Sequence, residues 1–273
     1  MIWPSVSTTR QAPRIGDFTD VQGGELTGQW VGELHDATGL RRVEIQRLED
    51  DHARVLRTQA SGTDVPSRLH VTDGNGHPAF AVDHQAWLDG QNGDVFTYSP
   101  GVLEFEVPAG EYRVRASRGF EFASASTAGT VKADANALAT IDLAPLGGAS
   151  MDGWYSGDHH FHLNYGGQAL LAPEALVPMM RGEDLDVATP LSANLHTRRI
   201  DEGYFGWTRS EPPIIAFGQE VRSHFLGHTG HIGVKTLYWP WYWGPGYPVY
   251  GRDDRSNVEA LQHTRKQGGV TSY

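Results

Sequence analysis

The stretch Asp152 to Gly167 reads DGWYSGDHHFHLNYGG and packs three histidines and an aspartate into five residues, directly after a β-rich region. On a strand, side chains alternate between faces. His160 and His162 therefore point the same way, Phe161 takes the other face, and Asp158 shares the histidines' face. That makes His160 and His162 a ready pair of imidazole ligands, suited to zinc, iron, nickel or manganese. A carboxylate two residues earlier can ligate as well, or can hold a histidine's second nitrogen in the right tautomer. The alternative reading is a solvated histidine cluster in a turn.

Downstream, the apolar spacing of Pro173 to Arg181 suits a short helix with Pro173 in its first turn, although Pro178 interrupts its middle. Leu185 to Leu191 reads as a buried strand, followed by a loop with Asn194 and His196, and Pro213 to Gly218 as another strand. Strand, helix, strand at this spacing predicts an α/β domain with a mainly parallel sheet. The last strand runs into Glu220, and His228 and His231 follow eight and eleven residues later. Ligands gather at the carboxyl ends of parallel strands, so the histidine strand, the Asn194/His196 loop and Glu220 are expected to converge there. An unligated histidine such as His196 or His224 can serve as acid or base, whereas His224 and His263 also fit plain surface histidines.

Upstream the pattern differs. Residues 1 to about 20 read as a polar strap. Gln29 to Leu34 and Arg41 to Leu48 read as hairpin strands, and Ala53 to Leu56 as a strand or a helical turn. From Arg68 to Leu146 alternation is strict in places: Leu103, Phe105 and Val107 oppose Glu104 and Glu106, and Tyr112, Val114 and Ala116 oppose Arg113 and Arg115. Gly74-Asn75-Gly76 and Pro108-Ala109-Gly110 supply turns. The alternation ends at Pro145 to Ala149, which places a domain boundary there: a β-rich region over 1–146, with a β-sandwich at about 67–146, then an α/β domain over 150–273. Trp87 and Tyr98 are the exposed-aromatic candidates for carbohydrate binding. Near the end, the Pro/Gly-rich aromatic run Tyr238 to Tyr247 reads as a loop, serving as a pocket wall or as simple packing. Asn257 to Gln267 reads as a helix capped near Ser256.

Two resemblances add to this reading. VTDGNGHP and FEVPAGEYRVRAS resemble transthyretin-like or carboxypeptidase-regulatory β-sandwiches. GWYSGDHHFHLNYGG, EDLDVATPLSAN, FGQEVRSHFLGHTGHIGV and ALQHTRKQGGVTSY resemble the CehA/McbA-type metallohydrolases of the polymerase-and-histidinol-phosphatase (PHP) superfamily. The second resemblance implies a (β/α) barrel in which His160 and His162 are metal ligands and Glu220 bridges the metals. His231, or in another register His228, would follow as a further ligand. It also implies two or more divalent ions, Zn, Mn or Fe. The family pattern departs at Gly167 and near Ser192 and Ala193, where it has aspartate and an Asp-His pair; Asn194 and His196 are the substitutes at hand. The family's later ligands lie beyond Tyr273, so the expectation is the first half of a barrel, truncated and left with an unpaired edge at Val270 to Tyr273 that favours self-association.

Composition sets the outer limits. The chain has 273 residues, 39% hydrophobic and 20% charged, which is globular. A net charge of -11 disfavours nucleic acid and anionic membrane as partners. With no cysteine, disulfides and thiolate sites are excluded, and any metal must be held by His, Asp, Glu or Asn. No signal-peptide run or transmembrane run stands in the sequence, which leaves the compartment open. The functional expectation is a metal-dependent hydrolase acting on a small-molecule ester, carbamate, amide or phosphoester. Glu220 and His196 are its catalytic candidates, and His160, His162, Glu220, His231, His228, Asp158 and Asn194 its metal-ligand candidates. The alternative is a non-catalytic glycan- or protein-binding chain with a vestigial metal site.

Overall fold

In a computed structural model, the chain divides into two compact units, Met1–Ser150 and Met151–Tyr273. The structure describes residues 2–7, 14–15, 29–36, 39–46, 51–60, 62–89, 92–133, 135–147, 153–165, 170–194 and 199–273. His196 and Gly167 lie outside them, as does most of the polar strap.

The first unit is all β. A seven-stranded sheet runs in the order 125–131, 110–117, 67–73, 95–99, 85–89, 2–7, 14–15, and a five-stranded sheet is built on 137–142, 51–60, 102–108 and 80–81, with 63–64 paired to 51–60. The alternation read in the sequence is realised. In Val102–Pro108 and Gly110–Ser117, buried and exposed residues alternate one by one. The buried sets meet in one core, where Leu69, Val71, Val114 and Ala116 of the larger sheet pack with Leu103, Phe105, Val107 and Ile141 of the smaller. The GNGHP reversal is held by Asp73, whose carboxylate accepts the backbone N–H groups of Asn75 and His77 at 2.9 and 2.8 Å. Gly76 sits there at φ +87°, which favours glycine. Two expectations need correction. The sheets recruit Asp51–Ala60 and Ile2–Ser7, well upstream of residue 67. Trp87 and Tyr98 are not exposed platforms but 4% and 5% exposed, in edge-on ring contact with each other, and Tyr98 also meets Phe96 edge-on.

The second unit begins as the sequence suggests and then departs from it. Gly157–Phe161 pairs parallel with Val187–Ser192, and the helix Leu176–Gly182 lies in the crossover. Val187–Ser192 then pairs parallel with Ile214–Ala216 and with Gly218–Ser223. The (β/α) barrel, whole or half, is nevertheless overturned. Gly218–Ser223 folds back antiparallel onto Gly227–Ile232, which in turn pairs antiparallel with Val270–Ser272. A parallel pair needs a crossover of about a dozen residues, and only His224, Phe225 and Leu226 separate these two strands. The turn is closed by the Leu226 N–H donating to Ser223 Oγ at 3.0 Å and by Gly227 at φ +77°. The α-helices among the described residues have 7 and 10 residues, and the connection from Ser192 to Ile214 carries a 3-10 turn, Ile200–Tyr204, in place of one. The result is a mixed sheet. Val270–Ser272 is thus the last strand of the sheet, paired antiparallel and not parallel as expected, and its other side has no strand partner among the described residues. No helix among the described residues is long and apolar enough to cross a membrane.

Candidate metal centre

The histidine strand is short and open to solvent, and its pairing slips by one residue between Asp158 and Phe161, which face Ala188 and Pro190. Pro190 has no N–H to offer the ladder, and an extra residue opposite it is a bulge that re-aims side chains. The backbone N–H of His160 is satisfied by Asp158 Oδ1 at 2.9 Å. Asp158 therefore closes the bulge from an exposed position and lies outside the group of possible ligands.

His160 and His162 both reach Glu220. His160 Nε2 lies 3.4 Å from Oε1 and His162 Nε2 3.1 Å from Oε2. The ligand atoms of the three residues lie within 4.8 Å of one another, the one such group among the described residues. Glu220 stands on Gly218–Ser223, every residue of which is buried, and is itself 1% exposed. Residues two apart on a strand share a face, so Arg222 points with Glu220 and donates from Nε and Nη2 to Oε2 at 2.8 and 2.6 Å. The hairpin register sets Arg222 opposite His228, so His228 joins the same face, with Nδ1 2.7 Å from Oε1. Burial alone would raise the Glu220 carboxyl, but the neighbouring rings of His162 and His228 and the hydrogen bonds and charge of Arg222 outweigh it and hold the group far below the usual carboxylate range.

His162 is the most informative member. Its Nδ1 lies 2.9 Å from the Leu191 carbonyl oxygen, which can only accept, so Nδ1 carries a proton. In a neutral imidazole the other nitrogen is then a lone pair, yet Nε2 faces the ionised Glu220 carboxylate. Two acceptors at 3.1 Å repel unless the ring is an imidazolium or a cation lies between them. A ring nitrogen donating to a backbone carbonyl while its partner faces a carboxylate is the arrangement of metal-ligating histidines. The donor set of two imidazoles and one carboxylate, on a rim where His160 is half exposed, fits a divalent ion with open positions.

The remaining candidates go elsewhere. His231 points to the opposite face of its strand and is 1% exposed, with Nε2 2.9 Å from Thr229 Oγ1 and Nδ1 2.6 Å from Thr264 Oγ1 of the helix Asn257–Lys266. Burial, and then the nearby His263, lower its pKa to about 4. Asn194 is buried in a polar knot: its Nδ2 donates to Asn164 O and Asp201 Oδ2, while its Oδ1 accepts the Asp201 N–H. Asn164 completes the knot on the same carboxylate at 2.8 Å. The knot ties the ends of the histidine strand and its neighbour to the 3-10 turn. His224 is exposed against Phe225 and Tyr247, and His263 bonds the Thr236 carbonyl at 2.8 Å.

The aromatic run is mostly packing. Trp241 and Trp243 are fully buried, and Tyr242–Trp243 forms a short strand parallel to Gly218–Ser223. Tyr242 turns toward the centre, stacked on Tyr247 at 3.8 Å, and its ring and that of Tyr165 lie 5.9 and 5.5 Å from the Arg222 guanidinium. Burial and Tyr247 push the Tyr242 phenol up to about 12. Arg222 and Tyr165 are the site residues that sequence reasoning passed over. The i, i+2 spacing of Glu220 and Arg222 on a strand was the available signal for the first.

No known family's model matches the chain, and no curated protein matches it. Among solved structures, a TIE protein of Bacillus anthracis is similar at 11% identity and a TM-score of 0.24, over 43% of this chain and 24% of that one. The chain thus matches about a quarter of that protein's length.

Proposed function

We propose that the second unit is a metal-dependent hydrolase centre in which His160, His162 and Glu220 hold a divalent ion. The observation that carries this is His162, whose two ring nitrogens both face acceptors. The resemblance of the surrounding motifs to CehA/McbA-type hydrolases gives the reaction class, cleavage of an ester, carbamate, amide or phosphoester bond. A divalent ion of Zn, Mn or Fe type supplies Lewis acidity and an activated water in such a site. The chain's own residues do the rest. Leu191 O fixes the His162 tautomer, and Arg222 fixes Glu220 and compensates its charge. His228 is oriented through Nδ1 by Glu220, and its side chain is half exposed, which suits it to accept or return a proton through Nε2.

The test has two arms. Metal analysis of protein purified without chelator is expected to find Zn, Mn or Fe, and His160→Ala with His162→Ala to remove it; a metal-free wild type sinks the centre. The metal-loaded protein is then offered aryl esters, aryl carbamates and phosphomonoesters. Failure on all three, with metal bound, rejects the hydrolase and leaves a metal-binding protein.

A further inference from the structure

We propose that the centre takes one divalent ion per chain, and that the Arg222 guanidinium occupies the side of Glu220 on which a bridged second ion would sit. The inference rests on the metal reading above and departs from the paired ions expected from the sequence. A carboxylate that bridges two cations must offer lone pairs to both. Here Oε2 receives two Arg222 N–H groups at 2.8 and 2.6 Å in addition to facing His162, and Oε1 receives His228 at 2.7 Å in addition to facing His160. Both oxygens of Glu220 are thus already engaged, and the charge of one partner is permanent, because a guanidinium does not lose its proton in proteins.

Arg222 is also poorly placed to give way. Its side chain is 7% exposed, its Nη1 donates to Asn194 O at 3.3 Å, and its guanidinium lies near the rings of Tyr165 and Tyr242. A second cation within contact of Glu220 would meet this charge at close range in a buried setting, where repulsion is weakly screened. Once the guanidinium is gone, His228, whose Nδ1 already lies 2.7 Å from Glu220 Oε1, is the described side chain that would join Glu220 in holding a second ion. The pair Glu220 and Arg222 is neutral, so the bound ion contributes the net charge of the centre.

Chelator-stripped protein is titrated with Mn2+ while the electron paramagnetic resonance signal of the free ion is followed. Metal content after gel filtration gives an independent count. The wild type is expected to saturate at one Mn2+ per chain with the spectrum of an isolated ion, Arg222→Lys to stay at one, and Arg222→Gln to bind more than one. Two ions per wild-type chain, or an exchange-coupled spectrum, overturns the proposal and leaves the metal reading intact. No binding overturns both. One ion in both the wild type and a folded Arg222→Gln, checked by circular dichroism, overturns the assignment to Arg222. If that variant does not fold, the wild-type count and spectrum still decide.

Discussion

Replacing Arg222 with methionine, in chelator, isolates the worth of the buried charge pair. The two side chains are 7% and 2% exposed, and two N–H groups of Arg222 converge on one Glu220 oxygen. Methionine keeps most of the aliphatic stem and removes the positive charge, leaving the carboxylate in a site that water barely reaches. Deleting one partner of such a pair costs about 3–5 kcal/mol, because the other is left desolvated. For a unit of this size the melting temperature is expected to fall by roughly 10–20 °C. The cause is separable from lost packing. Glu220→Gln with Arg222→Met removes both charges and is expected to be more stable than Arg222→Met alone, with a coupling of about 1–3 kcal/mol. Mn2+ should narrow the deficit of the single variant, since a cation at Glu220 restores a counter-charge. Urea unfolding followed by circular dichroism reads all three. A loss below about 1 kcal/mol, or a double variant as unstable as the sum of its singles, refutes the claim that Glu220 depends on Arg222.

Two further outcomes follow from burial. His231 stays neutral in the fold down to about pH 4, whereas an unfolded chain protonates it near its ordinary 6.5. Its contribution is thus complete above about pH 6.5 and is lost as pH falls toward 4, by about 3 kcal/mol in all; unfolding free energies of the wild type and His231→Gln at pH 7, 5.5 and 4.5 that run parallel would reject this. Trp87→Ala is expected to cost about 3–5 kcal/mol as a core truncation, measured by urea unfolding, and a cost near zero would return Trp87 to the surface.

The centre was more legible than the fold because the two depend on different things. Metal chemistry needs particular side chains at a local spacing. The i, i+2 alternation that put His160 beside His162 is a property of any strand, and it survives even the bulge at Asp158. The choice between His228 and His231 was not local. It is set by the hairpin register that places Arg222 opposite His228 and Gln219 opposite His231, so that one histidine faces Glu220 and the other faces the helix. The fold failed at its connections. Leu185 to Leu191 and Pro213 to Gly218 were recognised as strands, but the three residues between Ser223 and Gly227 already forbade a parallel crossover. In the aromatic run, proline and glycine argued for a loop, and two tryptophans were buried all the same. Burial of that kind depends on which surface lies opposite, a tertiary property that composition does not encode.

The centre is built from unequal halves, and this follows from the strands that carry it. Glu220 belongs to a fully buried strand and is fixed by Arg222 on one oxygen and His228 on the other. His162 is nearly as constrained, its side chain 12% exposed, its ring pinned by the Leu191 carbonyl and tilted against Tyr165 at 5.0 Å. His160 is different. It stands on the exposed strand, with half of its side chain in solvent. Ordering an exposed imidazole costs rotamer freedom that the pinned one has already given up in folding. In the proposed centre, His162 and Glu220 would therefore be the preorganised seat for an ion, with His160 completing it from the solvent side. The group is open to solvent on that side and at the half-exposed His228, while Arg222 and the tyrosines near it fill another side of Glu220.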